Sequence, residues 1–308
     1  MAILSADLLE VAPKSPAPIA TVGNYVVAFN TNSSTTGLVP NGAFAVMDTT
    51  TETAKAYSGL TTSTSTPIQI VSATGHGGYA WAWLPDGSSL YRIDPATGGV
   101  TTFSTGSAFN NNGVAICCAA NGYVCAFSSG STSNQIKIWN ISAGTLATLN
   151  TSCMIASSGV AEVGNYIYAQ VTISGTSSAI RKFDPSGGGS FVAASGAAPA
   201  YTLGKGVSYG GYVWFQHTTG ITRVDPTSFA FTTYSHTSIT GGNYLSSTNL
   251  VLGSDNWLYG YGGSDYLIGF NPATGAFGKE ALTPARGRRH SLAACNGKLW
   301  LPSGEPLT

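Results

Sequence analysis

Charge is what this sequence has least of. Its 308 residues include 13 Lys+Arg and 13 Asp+Glu, or 8% charged, against about 25% in an ordinary soluble protein. A formal net charge of zero with no basic run excludes the electrostatic footprint of a nucleic-acid binder. Long apolar runs are also missing: none approaches the ~20 residues of a membrane helix, so membrane insertion is not expected. The opening, Met1 to Glu10, lacks a basic segment and carries Asp7 and Glu10, unlike a secretory signal. Disorder is excluded from the other side, because 43% of residues are hydrophobic. Cys-x-x-Cys, Gly-x-Ser-x-Gly, P-loop and dinucleotide fingerprints are all absent. With none of these signatures, the expectation is a non-enzyme without cofactor or metal.

What is present is a repeat. One anchor is a Gly- or Asn-containing turn followed by an aromatic and a short apolar run. It begins at Tyr25, Tyr79, Tyr123, Tyr166, Tyr212 and Trp257, and a further copy puts Lys298 in the aromatic place. The steps between these positions are 54, 44, 43, 46, 45 and 41 residues. A second anchor is an apolar residue followed by Asp or Asn, at Asp48, Asp94, Asn140, Asp184, Asp225 and Asn271. Pro follows it at 95, 185, 226 and 272, and Thr-Gly completes the turn at 97–98 and 274–275. Asp-Pro-x-Thr-Gly is turn chemistry: the carboxylate accepts local N–H groups, Pro presets φ, and Gly supplies positive φ.

The runs after the first anchor are rich in Val, Trp, Tyr and Phe and too short for helices, so they read as strands. Gly113–Cys118 and Gly206–Tyr209 read as first, inner strands; Thr101–Thr105 and Phe231–Ser235 read as fourth, outer ones. Four strands per period of about 45 residues mark a β-propeller blade. The expected fold is therefore all-β: one domain over 1–308, a seven-bladed β-propeller of four-stranded blades. Ala or Gly at 28, 82, 126, 169 and 260 would give room to large residues of the facing blade. Only eight residues follow Trp300, so the N-terminal segment, 1–13, is expected to close the ring as an outer strand of the last blade. That would protect two sheet edges. A six-bladed ring with spare ends is the alternative.

The stretch Gly78-Tyr-Ala-Trp-Ala-Trp83, with Leu90-Tyr-Arg-Ile-Asp-Pro-Ala-Thr-Gly98 and Val100-Thr-Thr-Phe103, resembles the repeats of streptogramin (virginiamycin B) lyases and NHL-like propellers. The similarity extends from about residue 19 to 301. It implies the scaffold. The lyases carry an acid after the corresponding strand and use a Glu-x-His arrangement with magnesium. Here Gln216 stands in the acid's place and no Glu-x-His occurs. In composition the chain is similar to virion proteins of tailed bacteriophages: rich in Gly, Ser, Thr and Asn, and poor in charge. That similarity implies a structural or interaction module, a tail or capsid accessory. It would be assembled in the host cytoplasm and would contact other virion proteins or a host-surface glycan. A lyase-like enzyme and a carbohydrate-binding lectin are the alternatives.

Few residues suggest a site. Arg286, Arg288, Arg289 and His290 gather three of the thirteen basic residues before the last inner strand, where guanidinium groups suit an anion or a partner. Asn30 and Asn32, in the longest inserted loop, and Phe109, Asn110 and Asn111 in the loop 104–113 are candidates for recognition, with Phe109 as an exposed aromatic. His76, His217 and His236 are expected as exposed loop residues, and Asp94, Asp184 and Asp225 as turn caps. Arg92, Lys182 and Arg223 are expected to pair across blades. The five cysteines are expected as buried free thiols, though a bridge from Cys117 or Cys118 to Cys125 is geometrically conceivable.

Overall fold

The structure is a computed structural model. It describes residues 18–29, 42–60, 70, 72–84, 87–106, 108–109, 114–129, 135–151, 153–173, 178–197, 202–217, 220–236, 249–262, 266–281 and 292–300. Among these there is no α-helix, and the only helical turn is a 3-10 turn at Ser186–Gly188.

The strands fall into successive antiparallel units. The first is β1 (Ile19–Val22), β2 (Tyr25–Phe29), β3 (Ala43–Asp48) and β4 (Thr53–Ser58), paired in chain order. The second is β5 (Ala73–His76), β6 (Tyr79–Trp83), β7 (Ser89–Ile93) and β8 (Val100–Ser104). The pattern repeats in β9 (Val114–Ala120), β10 (Tyr123–Ser129), β11 (Gln135–Asn140) and β12 (Thr145–Asn150). Next come β13 (Cys153–Val163), β14 (Tyr166–Ile173), β15 (Ser178–Asp184) and β16 (Ser190–Ala197). The fifth unit is β17 (Thr202–Tyr209), β18 (Tyr212–His217), β19 (Gly220–Val224) and β20 (Phe231–Ser235). The sixth is β21 (Val251–Leu252), β22 (Leu258–Gly262), β23 (Tyr266–Asn271) and β24 (Ala276–Ala281). The last described pair is β25 (Ala293–Cys295) with β26 (Lys298–Trp300).

The anchors do what their chemistry dictates. In the hairpins joining β5 to β6, β9 to β10, β17 to β18 and β25 to β26, two-residue turns have positive φ at both central residues: Gly77-Gly78, Asn121-Gly122, Gly210-Gly211 and Asn296-Gly297. That is the turn whose twist matches the flanking strands. Asp48 Oδ1 accepts the N–H groups of Thr50 and Thr51 at 2.9 and 3.3 Å, and Asp225 Oδ1 those of Thr227 and Ser228 at 2.8 and 2.9 Å. A tryptophan two residues into the second strand ties it to the first: Trp81 Nε1 donates to His76 O, and Trp214 Nε1 to Tyr209 O, both at 3.0 Å. Trp300 Nε1 makes the same bond to Cys295 O at 3.2 Å.

Apolar surface is buried mainly between units. One cluster joins Val27, Phe29 and Phe44 to Ala80, Ala82 and Tyr91; the next joins Trp81 and Trp83 to Ala119, Val124 and Ala126. Further seams follow in chain order, and the circuit returns to its start where Val26, Ala28 and Met47 pack on Ala293, Cys295 and Trp300. The small residues at 28, 82, 126, 169 and 260 are buried, as their role in blade packing requires. Inner strands neighbour one another in the order β1, β5, β9, β13, β17, β21, β25, and β25 neighbours β1. Between β13 and β17 the contact is a parallel bridge, Val160 to Lys205. The architecture is propeller-like. The segment 1–13 lies outside the described residues.

Polar contacts seal the β1–β25 junction. Thr49 Oγ1 donates to Asn24 O at 2.6 Å and lies 3.3 Å from Cys295 Sγ; Asn296 Nδ2 donates to Thr49 Oγ1 at 2.7 Å, and Lys298 pairs with Glu52. At the next junction β5 comes so close to β1 that a Cβ on Gly75 would lie 1.8 Å from Thr21 O. Gly75→Ala must push the strands apart, and overpacking of this kind costs about 1–3 kcal/mol. The expected result is a lower urea midpoint with unchanged far-UV circular dichroism; an unaltered midpoint contradicts so close a junction.

Candidate functional site

Among the described residues, one ion pair joins two inner strands. Glu162, near the end of β13, and Lys205, in β17, face each other at 3.0 Å, with side chains 29% and 20% exposed. Glu162 Oε1 also accepts the Thr74 hydroxyl at 2.6 Å and the Ala119 N–H at 2.8 Å. Lys205 Nζ donates onward to Ala73 O at 3.2 Å. One carboxylate and one ammonium thus tie together β5, β9, β13 and β17. Burial works against the Lys205 charge, but the Glu162 carboxylate, with lesser help from Cys117 and Cys118, outweighs it and holds the ammonium above its ordinary pKa.

The same inner strands carry related links one repeat apart. Cys117 N donates to Ser72 Oγ at 3.0 Å. Leu250 N donates to Lys205 O at 2.7 Å, and Leu292 N to Asn249 Oδ1 at 2.8 Å, while Asn249 Nδ2 donates back to Leu292 O. The sequence reading missed this cluster. Its members at 119, 162, 205, 249 and 292 are about one repeat apart, but Ala119 and Leu292 join through backbone groups, so no column of side chains marked it in the sequence.

The residues singled out from the sequence fare differently. Arg286, Arg288, Arg289, His290, Asn30, Asn32, Asn110 and Asn111 lie outside the described residues. Phe109 was expected as an exposed aromatic and is instead buried. Its ring sits 5.3 Å from the Lys137 ammonium and under Gly87, where it fills the seam between the second and third units. Lys137 is buried too, donating to Gly87 O at 2.7 Å and Thr105 O at 3.3 Å.

His217 and His236, expected in exposed loops, are also buried, at 2% and 1% exposure. They close the end of the fifth unit opposite its Asp225 turn, and His236 meets the Phe277 ring edge-on at 5.8 Å. Burial, reinforced by His236, pushes His217 down to about 4. His76 is half-buried. Asp94 and Asp184 cap their turns as expected, each accepting a backbone N–H at 2.9 Å, from Ala96 and Ser186.

Among the described residues, Arg92, Lys182 and Arg223 form no ion pair across units. Each lies over the anchor aromatic of its own unit: Tyr79 at 4.7 Å, Tyr166 at 3.8 Å and Tyr212 at 4.4 Å. The reason is register, because Arg92 stands opposite Trp81 and Arg223 opposite Trp214, one diagonal step from the anchor.

Cys117, Cys118, Cys125 and Cys295 are buried free thiols. Cys118 and Cys125 are register partners across β9 and β10 but form no bridge. Desolvation raises Cys117 to about 12 and holds Cys118 and Cys125 well above the ordinary thiol range. These thiols should be inert towards Ellman's reagent in the folded chain and react in full once urea unfolds it. Fast labelling of any of the three at neutral pH would contradict their burial.

Among the described residues no group of three His, Cys, Asp or Glu is placed to hold a metal ion. No family model matches the chain, and no curated protein matches it.

Proposed function

We propose that the chain is a seven-bladed β-propeller serving as a non-enzymatic interaction module of a larger assembly, a tail or capsid accessory of a phage virion. The blade count is supported by the chain-order circuit of inner strands and by Trp300, which makes in the last unit the bond that Trp81 and Trp214 make in theirs. In every other unit an outer strand precedes the next inner strand. By the same rule the segment 1–13, which precedes β1, supplies an outer strand to the last blade. Deleting residues 1–13 is expected to lower the melting temperature by several degrees or more; an unchanged melt would favour six blades with spare ends.

The observation that carries the assembly role is the character of the rim. Of the six described outer strands, β8, β12, β16 and β20 contain no charged residue, while β4 carries Lys55 and β24 carries Lys279 and Glu280; Val-Thr-Thr-Phe-Ser in β8 and Phe-Thr-Thr-Tyr-Ser in β20 favour β pairing. Free monomers guard such edges with charge; a subunit packed among neighbours has no such need. Described acids support the same reading, because Asp48, Asp94, Asp184 and Asp225 are engaged in turns. Contacts to other virion proteins or to a host-surface glycan would fall to Asn30, Asn32, Asn110 and Asn111 and to Arg286, Arg288, Arg289 and His290. The test is immunogold labelling of particles from the source with an antibody to this chain. Label on intact particles supports the role; protein found only as free monomer in the lysate rejects it.

A further inference from the structure

Each outer strand ends its sheet among the described residues, so the rim is a set of free strand edges, and they are not equally guarded. Lys55 guards β4, Lys279 and Glu280 guard β24, and register shifts against β15 break up β16. Of the rest, β20 is the most open. Phe231, Thr232 and Thr233 are exposed in succession, hence on both faces of the strand, and Phe231 is 39% exposed. In β8 and β12 no three successive residues are exposed, and neither strand carries an exposed large hydrophobic side chain.

The direction of the free backbone groups follows from the turn. Asp225 N donates to Ala230 O at 2.9 Å, and the strands then run in register from Val224 opposite Phe231 to Gly220 opposite Ser235. In an antiparallel ladder, bonded and unbonded pairs alternate. Thr232 and Tyr234 therefore spend their backbone groups on β19, while Phe231, Thr233 and Ser235 turn N–H and C=O outward.

We propose that β20 pairs antiparallel with β20 of a second copy of this chain, about a two-fold axis at Thr233. That axis sets Phe231 against Ser235 and Thr233 against its own counterpart, so every outward N–H meets an outward C=O. Thr232 falls opposite Tyr234, and cross-strand pairs of Thr with Thr and of Thr with an aromatic are favourable ones. Neither strand carries a charge and the chain is neutral as a whole, so two copies approach without repulsion. A contact of this symmetry closes on itself and yields a dimer. Its strands have only five residues each, which makes it a weak, concentration-dependent contact. The inference deepens the packed-rim reading above. Particle labelling decides that role, and the state of the purified chain decides this contact.

The test is sedimentation velocity on the purified full chain, from low to high micromolar concentration. The expected result is a reversible monomer–dimer equilibrium. Thr233→Lys, which sets two ammonium groups face to face on the axis, should leave only monomer with unchanged far-UV circular dichroism. Thr233→Pro removes an outward N–H and no bond to β19, so it should do the same. Thr102→Lys, at the matching exposed place in β8, should still dimerise. As the concentration rises, amide exchange should slow at Phe231, Thr233 and Ser235 and stay unchanged at Thr232 and Tyr234. If Thr233→Lys disturbs the fold, Thr233→Pro and this alternation decide. A parent chain that stays monomeric throughout, a dimer that survives both Thr233 variants, or one abolished equally by Thr102→Lys would overturn the contact.

Discussion

Acidification from pH 7 to pH 4 is expected to remove about 3 kcal/mol of folding stability through His217 alone. In an unfolded chain this imidazole takes its proton near pH 6.5. In the fold, burial beside Gly220 and the neighbouring His236 push it down to about 4. Between those two values the unfolded state binds a proton that the folded state refuses, so stability falls as the pH falls. The contribution is complete above pH 6.5 and disappears through the window from 6.5 to 4. Each pH unit of separation is worth about 1.4 kcal/mol. Asp48 and Asp225 are held below the ordinary carboxylate range, first by the Thr50 and Ser228 N–H groups respectively. They lose their stabilisation only at still lower pH, so they do not imitate the histidine. Urea titrations at pH 7, 5.5 and 4.5 should show the midpoint falling. In His217→Gln, which keeps a neutral polar side chain, the slope across that window should flatten. An equally steep slope in the variant would assign the effect elsewhere.

That prediction depends on a residue whose place the sequence did not reveal, and the reason is physical. The period is legible because turn chemistry is local: Asp-Pro-x-Thr-Gly and Gly-Tyr each dictate their own few dihedrals, whatever lies across the ring. Strand content, hairpin turns and small residues at the seams followed from it. Burial at the ends of strands is not local. His217 and Phe109 stand where a one-dimensional reading sees loop, yet both are buried, Phe109 in the seam between two units and His217 beside Gly220 and His236. The same limit hid the polar cluster. Glu162 and Lys205 lie 43 residues apart and look like isolated charges until the circuit sets β13 beside β17. The cations at 92, 182 and 223 were visible as a column, but their partners were one diagonal step away in the same sheet and not in the next.

Lys205→Met is expected to be the most destabilising conservative substitution in the described chain, costing about 3 kcal/mol. Removing one member of a buried pair leaves the other charge without compensation, a loss of about 3–5 kcal/mol. Partial exposure of both side chains places this pair at the low end. Glu162→Gln should cost less. The amide oxygen can keep the Thr74 and Ala119 bonds, while Lys205 retains Ala73 O. The double variant should be more stable than the two single losses added together, because it carries no stranded charge. The pH dependence has the opposite sign to that of His217. Lys205 is held above its ordinary pKa, so its contribution is complete below about pH 10 and is lost as the pH rises through the folded value. The alkaline limb should therefore be steeper in the parent chain than in Lys205→Met, measured by urea midpoints above pH 9. The pair joins four inner strands, so its loss should also loosen the second to fifth units together. Hydrogen exchange should accelerate at Ala119 and Val160 in the same variant. Simple additivity of the two substitutions, with exchange altered in β17 alone, would reduce the pair to a local contact and remove its role as the clamp of the inner circuit.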